Sequence, residues 1–145
     1  MAATPSPLPL VGSPPPDRSA WQLAAAPTRA AIIWCHVVTG AVHQEPVVLP
    51  PGSPLAIGGW AVDDAAGGPA AGVTIAIDGV PLLDAEYGGE TPGWFAPQPY
   101  PASGFRAIVP AADLTPGRHT VTIRVLARDG RHYYAPSQRV LLDVR

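Results

Sequence analysis

Few side chains in this sequence are able to do chemistry, and their spacing argues against a reaction centre. Nucleophilic catalysis needs a Ser, Cys or Thr beside a base that a third group orients. The single cysteine, Cys35, is followed directly by His36. Neighbours in an extended strand point to opposite faces, so the two do not make a dyad. Between Ile33 and Val37, Cys35 reads as a buried, inert thiol. The other histidines, His43, His119 and His132, fall at no short ligand spacing, which argues against zinc. Asp63, Asp64, Asp78, Glu86 and Glu90 fall at strand ends or in loops, where oxygen ligands for calcium could converge. No Asp-x-Asp-x-Asp run is present, and turn-forming Asp is the commoner role. The expectation is a non-enzyme, with no catalytic residue, metal or cofactor.

One group of side chains suits binding instead. Trp94, Phe95 and Tyr100 lie in a stretch without periodicity, and Tyr87 and the pair Tyr133-Tyr134 flank neighbouring strands. Flat rings can stack on sugar rings while their polar edges bond hydroxyls. Trp94, Phe95, Tyr100 and Tyr134 are therefore the candidate ligand contacts. Two other uses of the same rings stand beside that one: packing, with the long loop folded back over an open end of the fold, and a protein interface, where Trp and Tyr are enriched.

Composition bounds what can hold these residues. The chain has 145 residues, 47% of them hydrophobic, with mean hydropathy +0.15, which suffices for one domain with a real core. Charged residues are 14% and the net charge is -2, so there is no electrostatic footprint for a nucleic acid partner. One cysteine forbids an intrachain disulfide and leaves the redox compartment open. No stretch is apolar enough to span a membrane, and no signal peptide is visible at the N-terminus, although a longer parent protein would carry such a signal elsewhere.

The 15 Gly and 20 Pro punctuate short apolar runs, as in a turn-rich β fold. From residue 1 to 30 the chain is a Pro/Ala-rich segment containing Pro14-Pro15-Pro16. It reads as a disordered, semi-stiff linker from which Trp21 could dock back on the body. No basic residue flanks the prolines as an SH3-type ligand would require. The folded unit is expected over 31–145. Ile32 to Val38 opens it, Pro46 to Leu49 is a short edge piece, and Leu55 to Val62 follows, with Gly58-Gly59 marking a bulge that turns Trp60 into the core. Val73, Ile75 and Ile77 alternate with Thr74, Ala76 and Asp78, a strand with one buried face. Asp78-Gly79 then predicts a type I′ hairpin into Val80 to Ala85. Tyr87 to Ser103 reads as a long loop and Phe105 to Val109 as a strand. Leu114 to Gly117 forms a corner before the strand carrying Val121, Ile123 and Val125, and His119 stands where many sandwiches place the tyrosine of a tyrosine corner. Asp129-Gly130 turns the chain into Arg131 to Tyr134, and Val140, Leu142 and Val144 close the fold. Such elements predict an all-β protein, an antiparallel β-sandwich of immunoglobulin-like or fibronectin-type-III-like form.

At Gly59-Trp60-Ala61-Val62-Asp63 the sequence resembles a bacterial immunoglobulin-like module with a Gly-Trp-Ala-x-Asp strand. The resemblance continues through Val73 to Gly79, Tyr87-Gly88, Ser103-Gly104-Phe105 and Leu114 to His119 in the same order. It covers about Val37 to Arg145. The departure lies between Glu90 and Tyr100, where Thr91-Pro92-Gly93-Trp94 replaces the usual Arg-Pro-Asp segment. The resemblance implies a non-catalytic accessory module appended to membrane glycosyltransferases or secreted enzymes. Such a module spaces or docks a partner protein domain, or binds a glycan, at the bacterial surface outside the cytoplasm. The rivals are a purely structural or oligomerising sandwich with no small-molecule ligand and a hydrolase, which would need converging carboxylates or a Ser-His pair.

Overall fold

The computed structural model describes residues 12–37, 47–89, 100 and 102–145, and for 33–37 the backbone only. Twelve strands are formed there: β1 (Gln22–Leu23), β2 (Ala30–Val37), β3 (Val47–Leu49), β4 (Leu55–Asp63), β5 (Gly68–Pro69), β6 (Gly72–Ile77), β7 (Val80–Asp84), β8 (Glu86–Gly89), β9 (Gly104–Val109), β10 (Gly117–Leu126), β11 (His132–Tyr134) and β12 (Val140–Val144). A 3-10 turn at Ala111–Asp113 precedes β10, and no α-helix occurs among the described residues.

The strands make two sheets. In the first, β10 is central: β6 pairs one side of it and carries β7 beyond, while β11 and β12 share the other side. β12 carries β3 in parallel and β11 carries β1 in parallel, so short strands from early in the chain cap both of the late ones. The second sheet runs β2-β4-β9-β8, with β5 paired to the end of β4. Their inner faces form one cluster. Val73 and Ile75 of β6, Val121, Ile123 and Val125 of β10, and Leu142 of β12 meet Leu55, Ile57 and Ala61 of β4 and Phe105, Ala107 and Val109 of β9. Each fully buried Leu, Ile or Val contributes about 1.5–3 kcal/mol relative to exposure, so this two-layer interior is what holds the strands in register.

The Asp78-Gly79 hairpin forms as expected. Both residues have positive φ, 52° and 80°, the signature of a type I′ turn. The second Asp-Gly turn differs, with Gly130 at φ 72° and no positive φ at Asp129. There the Asp129 carboxylate accepts the amides of Arg131 and His132 and shapes the loop as an Asx turn.

Three expectations need correction. First, the segment expected as a linker is docked from Gly12 onward, while residues 1–11 lie outside the described set. Ser13 bridges Asp84, and the Arg18 guanidinium grips the Asp84 carboxylate through two bonds of 2.9 and 2.6 Å and touches Thr74 Oγ1. Trp21 sits under Arg18 at 5.5 Å, and Gln22-Leu23 then pair with β11. The segment is thus a strap across the outer face of the first sheet, and it explains why β6 is buried on both faces instead of one. Proline content hid this, because the anchors are a charge pair and an aromatic ring. Gly12 is required where the strap begins: its φ is +127°, and a Cβ there would stand 2.1 Å from Leu83 Cδ1.

Second, β4 has no bulge. The register shift lies opposite, in β2 between Ile32 and Trp34, and the alternation of β4 runs unbroken. Leu55, Ile57, Ala61 and Asp63 face inward, which puts Trp60 on the outer face of the second sheet. Third, the long loop expected from Tyr87 to Ser103 is strand at its start, since Glu86–Gly89 pairs with β9. Residues 90–99 and 101 lie outside the described set.

Candidate functional site

Asp63 ends β4 with its side chain turned into the sandwich, 3% exposed. Its Oδ1 accepts the Tyr134 hydroxyl at 2.6 Å and the Ala66 amide, and its Oδ2 accepts the Arg128 amide at 2.9 Å. One carboxylate thereby ties the turn after β4, the turn after β10 and the core face of β11. Tyr134, a candidate ligand contact, is 6% exposed and belongs to the core. Burial, with Asp63 as its acceptor, pushes its phenol up to about 12, so it stays a neutral donor. Tyr87 has a similar role, donating to the Ala61 carbonyl and accepting the Ala70 amide, with burial raising its pKa.

The other carboxylates are also engaged. Asp64 pairs with Arg29 at 2.7 Å, which holds its pKa down, and Glu86 pairs with Arg106 at 3.2 Å. Glu90 lies outside the described residues, as do His43 and the side chains of Cys35 and His36. Among the described residues no three metal-ligating side chains gather.

Asp78, His119 and Thr115 make the closest approach to a catalytic arrangement. His119 Nδ1 stands 2.7 Å from Asp78 Oδ2, and Nε2 stands 2.7 Å from the Thr115 carbonyl oxygen and 3.4 Å from its Oγ1. The ring bonds the backbone four residues upstream, the role expected of a corner residue. Both ring nitrogens have an acceptor-only oxygen as nearest neighbour, so the doubly protonated ring fits best. Asp78 first, and the Thr115 carbonyl second, raise the His119 pKa. A base held protonated is a poor acceptor for a hydroxyl proton.

Several surface hollows open among the described residues, and Trp and Tyr rings line two of them. A groove of about 600 Å3 runs beside Trp60, walled by Leu23 to Ala30 on one side and Tyr134 to Gln138 on the other. Gln138 closes its floor like a backbone unit: its amide accepts the Ile32 N–H at 2.8 Å and donates to the Ile32 carbonyl at 3.0 Å. The Trp60 Nε1 is buried with no hydrogen-bond partner. Tyr100 reaches this rim, since its hydroxyl helps hold Arg29 charged. Of the four candidate ligand contacts, Tyr134 lines the groove, Tyr100 interacts with Arg29 on its wall, and Trp94 and Phe95 lie outside the described residues.

The second hollow, about 280 Å3, lies between strap and sheet and is lined by Pro16, Asp17, Trp21, Thr74, Arg124 and Tyr133 among others. Arg124 stacks on Tyr133 at 5.1 Å and donates to the Gly79 carbonyl. Sequence reasoning missed Asp17, Arg18 and Arg124 here, because nothing local marks a lone arginine in a strand as facing a strap more than 100 residues earlier. The only signal was Trp21, an indole in a proline-rich stretch.

No family model matches the chain, and no curated protein or solved structure matches it. Among the described residues no helix is long and apolar enough to cross a membrane.

Proposed function

We propose that the chain is a non-catalytic accessory module of immunoglobulin-like topology that docks a partner domain or a glycan at the bacterial surface. The strand order supports the topology. β2-β4-β9-β8 in one sheet and β7-β6-β10 followed by a last strand in the other correspond to the A-B-E-D and C-F-G sheets of immunoglobulin sandwiches. The Gly-Trp-Ala-x-Asp strand fits the same reading, because its Asp63 is the buried fastener of three elements.

One observation carries the functional half: the described acids and bases with the best geometry are consumed by turns and corners, which leaves shape and ring surface to a ligand. The groove beside Trp60 is the proposed docking place. A panel of fluorogenic esters and glycosides tests the reading. No turnover above buffer is expected, and turnover abolished by His119→Gln would reject it.

A purely structural, self-associating sandwich is the second reading. Val48 and Leu141 favour it, being 47% and 44% exposed on the part of the outer face that carries β3 and β12. Light scattering separates the two: a dimer dissolved by Leu141→Asp would move the weight to self-association.

A further inference from the structure

We infer that the hollow beneath the strap is a second binding site, separate from the groove, and that it takes a single neutral saccharide unit, free or at the end of a glycan. Size limits the class first. At about 280 Å3 the hollow lies at the small end of ligand pockets, too small for a helix or a folded partner.

The lining narrows it further. Trp21 and Tyr133 supply ring surface, and rings of this kind pack against the C–H faces of a sugar. Arg124 supplies donors. Its guanidinium has five N–H groups, is fixed by stacking on Tyr133, donates to the Gly79 carbonyl, and has no carboxylate partner among the described residues. Asp17 supplies an acceptor that remains ionised, since the Ser19 amide bonds its Oδ1 and lowers its pKa. Arg18 is not available, being committed to Asp84.

Charge then decides between ligands of this size. A cation would meet Arg124, and an anion would meet Asp17. A neutral polyhydroxyl with an apolar face satisfies donor, acceptor and rings at once. The strap supplies Asp17 and Trp21 and the sheet supplies Arg124 and Tyr133, so the site exists only while the strap is docked.

Titration of the whole, 15N-labelled chain with glucose, galactose, mannose and N-acetylglucosamine, followed through the indole N–H of Trp21 and the amides of Ser19 and Tyr133, tests this. At least one sugar is expected to shift these signals saturably. Arg124→Gln is expected to weaken that binding roughly tenfold, as the loss of a charge-assisted hydrogen bond does. Asp17→Asn retains the strap's Arg18 anchor and is expected to weaken binding with the melting temperature unchanged, which separates loss of the site from loss of the fold. If none of the four sugars moves a signal, the inference fails and docking through the groove still stands. If the shifts map to Trp60 and Gln138, or survive both substitutions, the hollow is not the site.

Discussion

The imidazole of His119 joins the corner before β10 to the hairpin between β6 and β7, and its charge sets the strength of that link. Its folded pKa is raised above the ordinary 6.5, so the stabilisation is fully present below that value and is lost as pH climbs through the raised one. Asp78 acts at the other limit: its pKa is lowered from 3.8, and its contribution is lost as pH falls through the lower folded value. Asp78→Asn is therefore expected to lower the melting temperature most at about pH 6, with the gap from wild type narrowing towards about pH 9. A gap that stayed constant over that range would remove the cation from the account. Asp63 gives a larger effect. Asp63→Ala leaves the Tyr134 hydroxyl and the Arg128 amide without their acceptor, while the Ala66 amide keeps the Asp63 carbonyl, and is expected to cost about 3 kcal/mol or more in urea denaturation. Tyr134→Phe, which removes one donor only, is expected to cost about 1–2 kcal/mol.

At the level of strands and connections, the strap and β4 make the sharpest tests. The Arg18–Asp84 pair is partly buried, each side chain 19% exposed, and it anchors a segment whose backbone makes few ladder bonds. Arg18→Ala is expected to destabilise the chain by about 1–2 kcal/mol and to speed hydrogen exchange at Ser13 and Asp84 while the core strands stay protected. Equal acceleration everywhere would mean that the strap is part of one cooperative unit. Trp60, on an outer face, is expected to cost less on truncation to Ala than Ile57, for which about 2–5 kcal/mol applies. The reverse order would place the indole in the core after all.

These two elements also show where the sequence is legible. β6, β10 and β12 were readable because each sets Val, Ile or Leu at alternate, inward positions, and Asp78-Gly79 because its dihedrals admit few other residues. Trp60 was misplaced because adjacent Gly58 and Gly59 suggested a bulge, whereas they lie on opposite faces of a regular strand, Gly58 pairing with Arg106 and Gly59 with Phe105. The strap was illegible because its anchors are single residues whose partners lie far along the chain. The type of Tyr134 says nothing about which face of β11 it occupies, so a contact residue and a core residue look alike there in the sequence. Arg124 and Tyr133 stood in view, yet only the strap makes them a pocket.

For the molecule as a whole, pairings between distant segments dominate: β3 with β12, β1 with β11, β2 with β4 and β4 with β9. Chains built on such remote contacts fold slowly, so refolding after stopped-flow dilution is expected in roughly milliseconds to seconds. A full-amplitude microsecond phase would contradict that. The two parallel pairings have a mechanical corollary. A tug between the strap and the last strand slides β1 along β11 and β3 along β12, loading their hydrogen bonds in shear so that they must give way together. Under tension such a link behaves as a stiff bolt, where a hairpin would open like a zip.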